Sequence, residues 1–139
     1  MGGEWGYRSY KKWDKVVKYI LRKDSNLNIV LVGSANGSEI AKKITLEFKD
    51  NNVFNYVARY SFNQTSQIIS QANILFCCDG GLMHAANALN KTIIPLFARL
   101  TPEMQLTDCA KAFPLFDYQN VNNIKAEDVV ERYYEAINF

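Results

Sequence analysis

Histidine occurs once in this chain of 139 residues, and proline and cysteine three times each. One histidine, His84, and no Cys-x-x-Cys pair leave nothing from which to assemble a tetrahedral metal site, so no metal is expected. The cysteines, Cys77, Cys78 and Cys109, form no disulfide framework, and an odd count points to a reducing, cytoplasmic setting. No apolar run approaches the ~20 residues that span a bilayer, and no cleavable signal opens the chain. The net charge of +2 is gathered on no face, which gives no argument for nucleic acid as a partner. Lys11, Lys12, Lys15 and Lys18 make the N-terminal segment locally basic, as a solvated helix face would be.

What is present suits one soluble domain. Apolar residues at 48% are enough, at this length, to bury a core that needs neither disulfide nor structural metal. Trp13, Val16, Val17, Ile20 and Leu21 fall at i, i+3, i+4, i+7 and i+8, which predicts an amphipathic helix from about Tyr10 to Arg22. Asn28 to Gly33 is a β-branched run closed by glycine, the pattern of a buried strand. Ile40, Ala41, Ile44 and Phe48 return to helical spacing, and Val53 to Val57 reads as a second strand. Ile68, Ile69 and Ala72 give the inner stripe of a short helix, with Asn63 as its expected N-cap.

Asn73 to Cys78 is the third strand, followed by a helix from about Leu82 to Leu89. Thr92 to Phe97 is the fourth, in which Pro95 predicts an edge or a bulge because it donates no ladder bond. Ala112 to Phe116 offers a short fifth strand. A helix near Ala126 to Ile137 closes the chain, its stripe being Val129, Val130, Tyr133 and Ile137. Strands alternating with helices predict an α/β fold, a Rossmann-like parallel sheet flanked by helices. Right-handed crossovers then bring every strand-to-helix turn to one edge of the sheet, where such folds bind ligands.

The turn after the third strand reads Cys78-Asp79-Gly80-Gly81-Leu82-Met83-His84. Its two glycines let the backbone come close to a bound group, and the next helix aims free N–H groups and its positive end at the same spot. A phosphate there gains hydrogen bonds without any basic side chain, and His84 could add one. Two readings stay open for this stretch: an anion cradle, or a tight turn with Asp79 as helix cap and His84 exposed. Asp79 would repel phosphate, so in the first reading it faces away, holding the turn. In the turn after the first strand, Glu39 either accepts hydrogen bonds from a ribose or only complements the helix dipole. The spacing matches neither the dinucleotide glycine fingerprint nor the Walker loop.

Taken together these residues resemble glycosyltransferase family nine, the bacterial heptosyltransferases of lipopolysaccharide core synthesis. The likeness is to the C-terminal half of a GT-B enzyme. The family carries Asp-(Ser/Thr)-Gly-x-x-His after a strand, then an alanine-rich helix and a strand ending Leu-Phe-Gly. Here these stand as Asp79 to His84, "AANALNKT" and "IIPLFARLTP", with Gly2-Gly3 and Lys11-Lys12-Trp13 matching the family's Gly-Gly turn and Lys-x-Trp. Gly80 stands in place of Ser or Thr, Ala98 in place of glycine, and no proline follows Trp13.

The resemblance implies that residues 1–139 form a single nucleotide-sugar-binding domain, with the N-terminal domain that supplies acceptor site and catalytic base absent. It implies donor binding by Glu39, Asp79, Gly80, Gly81, Leu82, Met83 and His84, with Lys11 stabilising the leaving group. The donor it implies is ADP-heptose, used without cofactor or metal, and the acceptor is a lipopolysaccharide core reached through the missing domain. The place it implies is the cytoplasm, with peripheral contact at the inner membrane. Two other readings are weighed beside it: another GT-B nucleotide-sugar domain, such as half of a 2-epimerase, and a non-catalytic Rossmann-like interaction module.

Overall fold

A computed structural model of the protein describes residues 6–105 and 111–138; Gly2, Gly3 and Cys109 lie outside the described residues. Among the described residues, eleven α-helices and β-strands follow a short 3-10 turn at Gly6–Arg8: α1 (Trp13–Lys23), β1 (Ile29–Leu31), α2 (Ser38–Glu47), β2 (Val53–Asn55), α3 (Phe62–Ser70), β3 (Ile74–Cys78), α4 (Gly81–Ala88), β4 (Thr92–Ala98), α5 (Pro102–Gln105), β5 (Leu115–Asp117) and α6 (Ala126–Ile137). Every strand pairing is parallel, as the alternation predicts. The ladders fall into two groups, β1–β2 and β3–β4–β5. The core joins them, since Leu31 buries in the same cluster as Ile94 and Leu96.

Burial along β4 explains why this strand reads as a continuous apolar run. Ile94, Leu96 and Ala98 pack with the stripes of α1, α2 and α6, while Ile93 and Phe97 face Ile69 of α3 and Met83 and Ala86 of α4. Alternate side chains thus serve two cores, the condition for a strand covered on both faces. On the first face Tyr10 and Trp13 meet edge to face with ring centroids 4.9 Å apart, and the Tyr10 hydroxyl donates to the Ile124 carbonyl at 2.8 Å.

Several expectations change in detail. Pro95 lies neither at an edge nor at a bulge: β4 is the middle strand of its group, and its register with β3 pairs Cys77 with Pro95 without a break. Ile93 donates to Lys111 and accepts from Phe113, so alternation turns the nitrogen of Pro95 toward the β5 side as well. There the ladder lapses between the Ile93–Ala112 bridge and Leu96–Leu115, and a missing N–H is tolerated. The N-cap of α3 is Ser61, not Asn63: Gln64 N–H donates to Ser61 Oγ and Ser61 N–H to Gln64 Oε1, a reciprocal capping box. Helix α3 ends at Ser70, which leaves Ala72 beyond the stripe, and Ile137 of α6 is half exposed rather than core.

Cys78 sits where β3 meets the core, and burial pushes its thiol up from 9.0 to about 11. Burial also raises the Tyr10 hydroxyl. A group whose folded value is raised gives stability that is full below the unfolded value and lost as pH rises toward the folded one. Urea midpoints are therefore expected to fall between pH 9 and 11, and Cys78→Ala is expected to flatten part of that fall. An unchanged alkaline limb in Cys78→Ala would show that the thiol is not what titrates.

Candidate functional site

The C-terminal ends of the strands carry the turns that sequence reasoning singles out. Here the backbone departs from regular conformations: Gly33 after β1 has φ 141°, Ala58 after β2 has φ 58° and Arg99 after β4 has φ 70°. Left-handed φ in residues bearing a Cβ is strained and concentrates at ligand sites. Ala58 is held by its N–H donating to the Gly33 carbonyl at 2.8 Å, which ties two of these turns together. Arg99 donates from its backbone to Asp117 at 3.3 Å, while its guanidinium lies 3.8 Å from the Tyr7 ring centroid. Ala98 itself continues the ladder to Asp117, so β4 needs no glycine at that position. Pro102 opens α5, where its missing N–H has no consequence.

A cleft of about 1360 Å³ reaches this edge, with Arg8, Gly33, Ser34, Asp79, Gly80 and Gly81 in its lining. The turn between β3 and α4 forms one part of it. Gly80 is the N-cap, with no side-chain cap, so Asp79 does not cap the helix. The first backbone donor inside α4 is His84, to Gly80 at 3.3 Å, which leaves the N–H groups of Gly81, Leu82 and Met83 without a helical acceptor. Ala86 is fully buried against the sheet, and Asn90, at φ 57°, closes the far end of the helix as Lys91 N–H returns to the Ala86 carbonyl.

The two glycines differ. Gly80 is extended, at φ 169° and ψ −174°, and a Cβ built there meets nothing within 4 Å. The close approach that a missing Cβ allows is therefore not needed at Gly80, where a serine would fit as it does in the family pattern. At Gly81 the same Cβ meets Phe62 Cε2 at 3.3 Å.

Asp79 is buried, and its carboxylate lies 3.8 Å from Arg8 Nη1 on one side and 4.0 Å from His84 Nε2 on the other. His84 itself is half exposed. Met83 is fully buried with Phe97 and Ile93, so its side chain serves packing and only its backbone N–H is left for a ligand; Leu82 packs at the border of the same cluster. Glu39 is exposed in the first turn of α2 and does not line the cleft. Lys11 is exposed ahead of α1 and also lies outside the cleft lining. Its backbone is fixed: Lys11 N–H donates to Asn122 Oδ1 at 2.7 Å, and Asn122 Nδ2 donates to the Ser9 carbonyl at 2.9 Å. The structure therefore gathers Asp79, Gly80, Gly81, Leu82 and Met83 on the cleft, sets His84 beside Asp79 outside the cleft lining, and leaves Lys11 and Glu39 apart from both.

Arg8 and Asn122 escape the sequence reading. A buried acid in a turn meant for an anion demands a compensating cation nearby, and that demand was the available signal for Arg8. Asn122, far along the chain from the segment it clamps, left none.

Among the described residues no group of three or more His, Cys, Asp or Glu side chains could hold a metal ion. Nor is any described helix long and apolar enough to cross a membrane.

Residues 8–134 match the model of Glycosyltransferase family 9 (heptosyltransferase). The chain belongs to this family. Among solved structures, E. coli ADP-heptose lps heptosyltransferase II superposes with a TM-score of 0.83 at 19% identity, over 99% of this chain and 44% of that one. The glycosyl transferase family 9 protein from Veillonella parvula gives 0.84 at 14% identity, over 99% and 44%. The E. coli heptosyltransferase WaaC with ADP gives 0.84 at 17% identity, over 97% and 42%. At these identities the likeness shows the fold. This family 9 chain spans less than half the length of these solved relatives. No curated protein sequence matches it significantly.

Proposed function

We propose that this family 9 chain is the donor-binding half of a glycosyltransferase of lipopolysaccharide core synthesis, taking a nucleoside-diphospho-heptose with ADP as the nucleotide. The observation that carries the reading is the β3–α4 turn, where three N–H groups without helical acceptors stand beside His84, and where Arg8, Gly80 and Gly81 line one cleft. Family membership and the solved relatives, one of them with ADP, support it. In the complete enzyme the acceptor hydroxyl would attack the anomeric carbon as its bond to the diphosphate oxygen breaks, with a base of the other domain taking the proton. The part of this chain is electrostatic: the amides of Gly81, Leu82 and Met83 and the imidazole of His84 receive the charge building on the diphosphate. Glu39 and Lys11 are proposed to meet the ribose and the leaving group, respectively, once donor and second domain draw in. By itself the chain binds nucleotide and turns nothing over, because transfer needs both substrates in one dry cleft.

Amide-shift titration with ADP, and with UDP and GDP as comparators, tests the reading. Shifts centred on Gly80 to His84, with Arg8 and Glu39 following, are expected, largest for ADP. Equal shifts with all three nucleotides would overturn the ADP assignment, and no shifts at millimolar concentration would overturn donor binding by this chain.

A further inference from the structure

A carboxylate beneath an anion-binding turn works against it. Asp79 follows β3 directly and is buried at the base of the turn whose amides would hold the diphosphate. A buried charge costs least when an opposite charge faces it, and its field falls on whatever binds nearby. Among the described residues the cations facing this carboxylate are Arg8 and His84, and His84 carries charge only when protonated. Arg8 is always charged.

Arg8 is also held in place without being consumed. It ends the 3-10 turn at Gly6–Arg8, which packs against β4, and Asn122 clamps the following residues, Ser9 and Lys11. Beside it the face of Tyr7 is covered by Arg99. The Arg8 side chain is 22% exposed, its Nε is buried without a hydrogen-bond partner among the described residues, and its Nη1 stands 3.8 Å from Asp79, beyond hydrogen-bond reach. Such a guanidinium gives Asp79 a compensating charge without the directional lock of a bidentate pair.

We propose that Arg8 is the positioning residue that cancels the Asp79 carboxylate beneath the β3–α4 turn, leaving the cleft side of that turn positive for a diphosphate. The proposal deepens the donor-domain reading and rests on it. Its signature is a dependence between two residues. Removing Arg8 exposes the ligand to the bare charge of Asp79, and neutralising Asp79 removes the need for Arg8.

The test is a double-mutant cycle on the whole chain, read by calorimetric titration with ADP and, separately, adenosine, and by thermal unfolding without ligand. Arg8→Met is expected to weaken ADP about tenfold, within the range of measured couplings between neighbouring groups, and to leave adenosine binding unchanged. Arg8→Met with Asp79→Asn is expected to return to within about threefold of the parent chain, and Arg8→Lys to hold most of the affinity. A loss of ADP binding that Asp79→Asn does not relieve would mean that Arg8 touches the phosphates directly, and would overturn the proposal. So would an equal loss with adenosine, the mark of a merely structural role. Failure of the parent chain to bind ADP would sink the donor-domain reading instead. The thermal cycle then decides the pairing alone: recovery in the double variant supports it, and additive losses overturn it.

Discussion

Valine at position 81 is expected to abolish nucleotide binding while leaving the fold in place. Gly81 is the first residue of α4, and a Cβ there points at the tip of the Phe62 ring, 3.3 Å from Cε2. Phe62 is 56% exposed, so its ring can swing aside at small cost. The two γ-methyl groups of valine would then crowd the N–H groups of Gly81 and Leu82, which are the donors proposed for the diphosphate. Losing close approach to two charge-assisted donors is worth roughly 3 kcal/mol or more, at least a hundredfold in affinity. Stability should change by about 1 kcal/mol or less, since β-branched residues are poor but tolerated in a first helical turn. Gly80→Ser is the contrasting variant. Its backbone is extended and its Cβ position is open, so the fold accepts it, and the hydroxyl adds a donor where the family carries Ser or Thr. Amide-shift titrations of both with ADP check the pair. Valine at 81 binding like the parent would remove the turn from the site, whatever the behaviour of the serine at 80.

That the sequence makes this turn legible has a physical reason. β3 is an apolar run, the glycines interrupt it and alanines resume it, so strand, turn and helix each announce themselves within a few residues. Local signals place the other strands and helices to within a few residues as well, except α5, a single turn opened by Pro102 that has no apolar stripe to announce it. Ser61-x-x-Gln64 is a capping box written in the sequence, and its reciprocal partner favours Ser61 over Asn63. Pro95 departs from expectation for a different reason: a proline excludes one hydrogen bond on one side of a strand, and nothing local says that the neighbouring ladder lapses there. The pairings that build the site are long-range. Arg8 reaches Asp79, and Asn122 reaches Ser9 and Lys11, through folding rather than through spacing. Charge balance was the one clue to Arg8, since a buried Asp79 had to be answered by some cation.

The largest effect on stability is expected from Phe97→Ala. Phe97 has no exposed surface and stands in the middle strand of its group, against Ile69 of α3 and Met83 and Ala86 of α4. Truncating such a side chain removes its transfer free energy and leaves a cavity, roughly 3–5 kcal/mol in all. Domains of this size hold only about 5–15 kcal/mol in total. A fall in melting temperature on the order of 10–20 °C follows, with the slope of the urea transition unchanged. Phe62→Ala, removing a ring of the same size from an exposed position, should stay within about 0.5 kcal/mol. A difference between the two variants below about 1.5 kcal/mol would mean that the α3–α4 face of the sheet collapses onto the cavity and is not closely packed. The consequence reaches the site. Met83 and Ala86 lean on Phe97, and the amides of Gly81 and Leu82 are aimed by the helix those residues anchor. ADP affinity per folded molecule should therefore fall in Phe97→Ala although the ring lies in the core and never touches the ligand, and Phe62→Ala should not reproduce that loss through stability.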